Sequence, residues 1–131
     1  MIIDSSAIVA IVREEGDAER FSALMAEQSM LEMSAANYLE TAIVIDGGRD
    51  PALSAGLDAL LEGLGIAIAP VTVSQARLAR QAYRDFGRGS GHPAKLNFGD
   101  CFAYALAVER GEPLLYKGDD FAHAGLARVV A

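Results

Sequence analysis

Cysteine is almost absent from this chain. Cys101 is the sole one among 131 residues, so no internal disulfide can form. A lone thiol suits a reducing compartment, and a cytoplasmic location is the expectation. Histidine is nearly as scarce: His92 and His123 have zinc-ligand spacing neither with Cys101 nor with each other, which argues against a zinc site. No apolar run approaches the roughly 18 residues of a membrane-spanning helix. The apolar start Met1-Ile2-Ile3 is broken at once by Asp4 with no basic segment before it, so neither a targeting peptide nor membrane association is expected. Positive charge is also short, with 11 Lys and Arg against 18 Asp and Glu and a net charge of −7. Taken as a whole, that balance lacks the basic footprint of a nucleic-acid binder. Repeats, low-complexity tracts and linkers are missing too, and one domain spanning 1–131 is expected.

What the chain does have is apolar residues, 52% of the total, enough for a core without staples. They fall into short strands alternating with helices. Met1–Ile3 reads as a buried strand, followed by helices over Ser5–Glu14 and Asp17–Glu27 and a strand over Met30–Met33. Ser34 caps a helix running to about Asp46, and Asp50-Pro51 opens another, a capping carboxylate with proline in the first turn, that ends at Gly63 or Gly65. Ile66–Ala69 is a strand. Thr72-Val-Ser-Gln75 has the capping-box pattern and opens the longest helix, to Phe86 or Arg88. Gly87–Lys95 is a flexible loop, and its G-R-G-S-G run lacks the lysine and the flanking elements of a phosphate-binding loop. Gly99–Arg110 is a helix apolar nearly all round and hence central, and strands follow at Leu114–Tyr116 and Ala127–Val130. Alternation of this kind predicts the α/β class, an α/β/α sandwich around a mainly parallel sheet.

Four carboxylates sit where such a fold places chemistry. Asp4 ends the first strand and Asp119 follows a later one, and ligands gather beyond the carboxyl ends of strands in open α/β sheets. Asp100 starts the central helix. Glu40 lies inside a largely apolar helix, where a carboxylate needs a partner. Each also has a plainer reading: Asp4 as a helix cap, Asp100 as a carboxylate facing a helix dipole, Asp119 and Asp120 as turn residues, Glu40 as an arginine's partner. If they converge, their all-oxygen chemistry suits Mg²⁺, with Mn²⁺ a close substitute, and metal-assisted phosphoryl transfer.

The blocks of sequence around these carboxylates carry a family resemblance. Met1-Ile-Ile-Asp4-Ser-Ser-Ala7 resembles the opening of VapC-type PIN-domain toxins, and Tyr38-Leu39-Glu40 resembles their internal acidic motif. Leu96-Asn-Phe-Gly-Asp100-Cys-Phe-Ala-Tyr104-Ala-Leu-Ala107 is similar to the N-F-G-D-C-x-x-Y-A-x-A block of one VapC branch, and Pro113-Leu-Leu-Tyr-Lys-Gly-Asp119-Asp-Phe121 is similar to its closing segment. The blocks come in family order over residues 1–121, and the two later ones are the specific ones. The resemblance implies a single PIN domain and Mg²⁺- or Mn²⁺-dependent endoribonuclease activity that leaves 5′-phosphate and 3′-hydroxyl ends. It also implies inhibition by a VapB-like antitoxin, homodimerisation, and a site of Asp4, Glu40, Asp100 and Asp119. Asp120 is the neighbouring alternative for the fourth position, and Ser6 is implied as a hydroxyl that orients Asp4 or Asp100. Two departures stand out: Ser5 where threonine is commoner, and Ala122-His123-Ala124 where relatives often carry a Thr-Asp pair.

The charge is unevenly spread. Residues 74–99 hold Arg77, Arg80, Arg84, Arg88 and Lys95 against Asp85 alone, a local +4 that leaves −11 elsewhere. At about 100° per residue the four arginines fall within roughly 80° of a helical wheel. This stripe is the candidate RNA phosphate contact; an antitoxin's acidic residues and a plainly solvated face are its other readings. The apolar helices of residues 5–27 and 51–64 are candidates for antitoxin binding or dimerisation, or simply for core. Among rivals, a non-catalytic PIN-like RNA- or protein-binding module would have lost carboxylates. A haloacid-dehalogenase-type phosphatase needs an aspartate where Ser6 stands, and a receiver domain needs an early acidic pair and a mid-chain phosphoacceptor that are absent.

Overall fold

Each strand of the sheet is only two or three residues long, yet together they set the position of everything else. The computed structural model describes residues 1–118 and 120–125. Asp119, the side chain of Asp120 and the expected strand Ala127–Val130 lie outside the described residues. The chain runs β1 (Ile2–Ile3), α1 (Ser5–Val12), α2 (Ala18–Ala26), β2 (Glu32–Ser34), α3 (Ala35–Gly47) and α4 (Pro51–Gly63). It continues with β3 (Ala67–Ala69), α5 (Val73–Phe86), α6 (Phe98–Arg110), β4 (Leu114–Leu115) and a 3-10 turn at Asp120–Ala124. The sheet order is β3-β2-β1-β4 with every pairing parallel, and Ile2 is in register with Glu32 on one side and Leu114 on the other.

The alternation of side chains along a strand explains how such short strands divide the core. Ile2 and Leu114 point into a cluster with Ala82, Leu96, Leu106 and Tyr116 under α5 and α6. Ile3 and Leu115, one residue on, point into a second cluster with Ile8, Phe21, Met25, Met33, Ile45 and Leu57 under α1–α4. Both faces are covered, so the expected three-layer sandwich is what the chain builds, and its central strands read as unbroken apolar pairs. Among the described residues no helix is long and apolar enough to cross a membrane.

The caps read from sequence are present. Ser34 accepts from Ala36 N, Asp50 from Ala52 N and Thr72 from Gln75 N. Several bounds move. The second strand starts at Glu32, two residues later than expected, and Ser34 both ends it and caps α3. Helix α5 stops at Phe86, because Gly87 turns extended (ψ 161°) and pairs with Leu96 across a one-residue parallel bridge. Arg88 is therefore off the helix, and the basic stripe has three arginines on α5 rather than four.

The helices of residues 5–27 and 51–64 serve the core on one side and leave Val9, Ile11, Val12, Leu53, Leu60 and Leu61 only partly buried. Their Ile8, Phe21, Met25 and Leu57 are core, and none of the exposed large apolar residues belongs to them. Exposed apolar side chains sit instead on α3 (Leu39, Ile43) and at the start of α6 (Phe98).

Candidate active site

The carboxyl edge of the sheet is where three helices begin or pass. Asp4 leaves β1 and is at once the N-cap of α1: Ser6 donates both its amide (3.0 Å) and its hydroxyl (2.6 Å) to Asp4 Oδ2. The Asp4 backbone amide is tied to Leu115 O at 3.0 Å, which fixes the residue between β1 and β4. Of the two partners expected for Ser6, Asp4 is thus the one it holds. Ser6 Oγ also accepts from the Lys117 amide at 2.9 Å, so the segment leading to Asp119 is fastened beside Asp4.

Glu40 reaches the same edge from the second turn of α3. Its Oε1 accepts from Ser5 Oγ and, at 3.3 Å, from Asn37 Nδ2. Asn37 Nδ2 donates further to Gly99 O at 2.9 Å, across to α6. The Asn37 carbonyl accepts from Ser5 Oγ (3.2 Å) and Thr41 Oγ1 (2.7 Å). Asn37 Oδ1 is buried and accepts from no described group. Glu40 therefore makes no ion pair with a described arginine, contrary to its plainer reading. Its carboxylate lies on Gly99: a Cβ there would stand 2.6 Å from Glu40 Cδ and 2.7 Å from Oε1, and closer still to Oε2. Only a residue without a side chain lets α3 and α6 meet this way.

Asp100 is one residue further along α6. With Asn97 it forms a reciprocal capping box: the Asp100 amide donates to Asn97 Oδ1 (2.9 Å) and the Asn97 amide donates to Asp100 Oδ2 (3.0 Å). Its plainer reading as a helix-start carboxylate is thus literally true, without removing it from the group.

Asp4 shows that the three carboxylates share one neighbourhood. Burial pushes its carboxyl up to about 7 against the Ser6 hydrogen bonds, and the negative charges of Asp100 and Glu40 push it the same way. Among the described residues, however, no group of three or more His, Cys, Asp and Glu side chains is spaced to grip one metal ion directly. Asp119 and the Asp120 side chain are outside that statement.

The remaining candidates separate. Arg80 and Arg88 line a cleft of ≈ 570 Å³ between α5 and the start of α6, next to Asp100, whereas Arg77 and Arg84 do not line it. Lys95 is exposed at a left-handed φ of 50° in the 88–95 loop. That loop is pinned at its base by Arg88 N to Leu96 O and Leu96 N to Phe86 O, both 2.9 Å. His92 is used inside it, accepting from Ala94 N at 3.1 Å with its ring edge-on to Phe86. Burial and Asp100 push the Cys101 thiol up to about 11, which disarms it as a nucleophile.

Sequence reasoning did not find Ser5, Asn37, Thr41 and Gly99 as supports. The signal was there in part: Asn37, Glu40 and Thr41 are polar residues at i, i+3 and i+4 on an otherwise apolar helix, and residues so spaced share a face.

The PIN-domain family profile matches residues 1–126. The chain belongs to the PIN-domain family. This PIN domain is 56% identical over 130 residues to ribonuclease VapC28 of Mycobacterium tuberculosis, covering 99% of this chain and 98% of that protein. It is therefore one of the VapC-type ribonucleases. The crystal structure of Mycobacterium tuberculosis VapC20, described as a sarcin-ricin loop cleaving toxin, superposes with a TM-score of 0.77 at 18% identity, over 99% of this chain and 98% of that one. A toxin–antitoxin complex from Klebsiella pneumoniae superposes with a TM-score of 0.70 at 16% identity, over 92% and 89%. At those identities the two structures speak for the fold.

Proposed function

We propose that this PIN domain is the toxin of a toxin–antitoxin pair and cleaves RNA at Asp4, Glu40, Asp100 and Asp119. One observation supports this most: a carboxylate buried at the end of the central strand has two further carboxylates in its field and no described cation paired with it. Keeping three such groups ionised together needs a compensating charge. The donors around them are carboxylate, hydroxyl and amide oxygens, which suit a hard divalent ion. Mg²⁺ or Mn²⁺, held by Asp4, Glu40, Asp100 and Asp119 directly or through water, supplies when bound a water of lowered pKa and charge stabilisation at the phosphate.

The chain's own residues do the positioning. Ser6 holds the Asp4 carboxylate in one orientation and fastens the segment that leads to Asp119. Ser5 and Asn37 hold Glu40 Oε1 and so lock the carboxylate against Gly99, next in the chain to Asp100. With O3′ as the leaving group, as the VapC resemblance implies, the proposed products carry a 5′-phosphate and a 3′-hydroxyl.

A small VapB-like antitoxin is the proposed inhibitor, following the Klebsiella complex. Homodimerisation is proposed through the exposed Leu39 and Ile43 of α3, one helical turn apart. The test is cleavage of single-stranded RNA with Mg²⁺ or Mn²⁺, with and without EDTA, by the wild type and by Asp4→Asn and Asp100→Asn. Cutting that stops on chelation and in both variants is expected. Activity that survives either treatment overturns the mechanism, and binding without cutting makes this a non-catalytic module of the same fold.

A further inference from the structure

The cleft between α5 and the start of α6 is not used by the carboxylate chemistry, and its lining is unusual for an acidic protein. Its size, ≈ 570 Å³, lies within the roughly 300–1,000 Å³ typical of small-ligand sites. Tyr83, Phe98 and Phe102 supply aromatic walls, Arg80 and Arg88 supply charge, Asn97 supplies an amide, and among the described residues no carboxylate lines it. Phe98 is 79% exposed, an aromatic ring left in water on the residue before Gly99 and two before Asp100. It stands edge-on to Phe102, with ring centroids 4.9 Å apart.

The opposite wall is built in advance. The Tyr83 hydroxyl donates to Arg88 O at 3.0 Å, and its ring packs against Gly87, where a Cβ would come within 2.5 Å of Cδ1 and 2.8 Å of Cε1, and closer still to Tyr83 O. Gly87 is thus the second position at which close approach demands glycine. Neither Arg80 nor Arg88 forms an ion pair with a described residue. Asn97 uses its Oδ1 on the capping box, and its Nδ2 donates to no described group.

Stacking faces beside unpaired guanidiniums are the equipment of single-strand nucleic-acid binding, where bases lie on aromatic rings and arginines meet the phosphates. Charge complementarity favours the same occupant, because a polyanion finds two free cations here on a chain whose net charge is otherwise −9. We infer that this cleft is a base-binding subsite: an unstacked base of the RNA strand lies between Phe98 and Tyr83, its flanking phosphates meet Arg80 and Arg88, and the neighbouring phosphate is thereby set at Asp100. The inference rests on the ribonuclease reading above and deepens it, since Phe98 and Tyr83 become residues that choose where the strand is held.

The test is equilibrium binding of a fluorescein-labelled twelve-nucleotide oligo(A) to the full-length protein in EDTA. A second probe of equal length carries reduced abasic units in place of every base. Phe98→Ala is expected to weaken oligo(A) binding roughly 5- to 100-fold and the abasic probe less than about 2-fold, with Phe98→Trp restoring oligo(A). Arg80→Gln is expected to weaken both probes alike and to lower the salt slope by about 0.7. Sedimentation and thermal unfolding of each variant accompany the titrations.

Oligo(A) binding unchanged in both Phe98→Ala and Tyr83→Ala overturns the subsite. Equal weakening of both probes by Phe98→Ala also overturns it, and if that loss comes with a drop in oligomeric state, the cleft is an interface between copies. If the wild type still cleaves RNA in Mg²⁺ in these cases, only the subsite has failed. A wild type that neither binds oligo(A) nor cleaves RNA overturns both this inference and the reading beneath it.

Discussion

Replacing Gly99 by alanine adds one methyl group at the point where α3 and α6 press hardest. The new Cβ falls 2.6 Å from Glu40 Cδ, well inside van der Waals contact, so something has to move. Glu40 is not a free end that can swing aside, because Ser5 and Asn37 hold its Oε1, and Asn37 also holds Gly99 O. Overpacking of a fixed site costs about 1–3 kcal/mol. Against this, alanine is better than glycine in a helix by about 0.5–1 kcal/mol. The expected net loss is about 1–2 kcal/mol in urea unfolding, together with a large loss of RNA cleavage as Glu40 is displaced. The sign of the effect is the discriminating quantity. In a Glu40→Ala background the obstruction is gone, and Gly99→Ala should become neutral or stabilising by up to about 1 kcal/mol. If Gly99→Ala costs the same with and without the Glu40 side chain, the contact is not what requires glycine and the reasoning fails.

Other perturbations follow from the same contacts. Metal-free protein should lose stability as pH rises from about 4 to about 7: the folded Asp4 carboxyl, pushed up to about 7, binds a proton that the unfolded chain releases near 3.8. Asp4→Asn should flatten that slope in EDTA, and an unchanged slope counts against burial as the cause. Ser5→Ala should cost about 1.5–3 kcal/mol by removing a hydrogen bond to a carboxylate, whereas Ser5→Thr, which keeps the hydroxyl, should unfold within about 1 kcal/mol of wild type and retain cleavage. Leu39→Asp together with Ile43→Asp should give a monomer by sedimentation without changing the fold, and a dimer that persists rules out that face.

The elements were legible because their punctuation is chemical. Ser34, Asp50 and Thr72 each cap a helix where a short polar side chain meets an apolar run, and the paired Ile2-Ile3 and Leu114-Leu115 mark strands buried on both faces. Residues at which two distant segments meet were not legible. Asn37 bridges Glu40 to Gly99 over 62 positions, and nothing near either end encodes the partner. Gly99 looks like any helix-start glycine until Glu40 is placed upon it. The basic stripe was half legible. Helical spacing puts four arginines on one side, but Gly87 ends the helix early, and the cleft takes Arg80 and Arg88 while leaving Arg77 and Arg84 out.

Two of the carboxylates are helix caps, and this changes how their role can be tested. Asp4 is the N-cap of α1 and Asp100 the third residue of the α6 capping box, so each satisfies amides that a helix start leaves unpaired. The same helix ends carry partial positive charge, which favours an anion there and partly offsets the repulsion between neighbouring carboxylates. A structural and a functional reading of these residues therefore do not compete. Alanine at either position confounds the two, because losing a cap costs about 1 kcal/mol before any chemistry is touched. Asparagine keeps an acceptor oxygen for the Ser6 or Asn97 amide while deleting the charge. The expectation is that in urea at pH about 4, where the folded Asp4 carboxyl is protonated, Asp4→Asn and Asp100→Asn unfold close to wild type while Asp4→Ala and Asp100→Ala unfold earlier, with RNA cleavage at neutral pH lost in all four. Cleavage that instead tracks stability, surviving in the asparagine variants and falling only in the alanine ones, makes both carboxylates caps and nothing more.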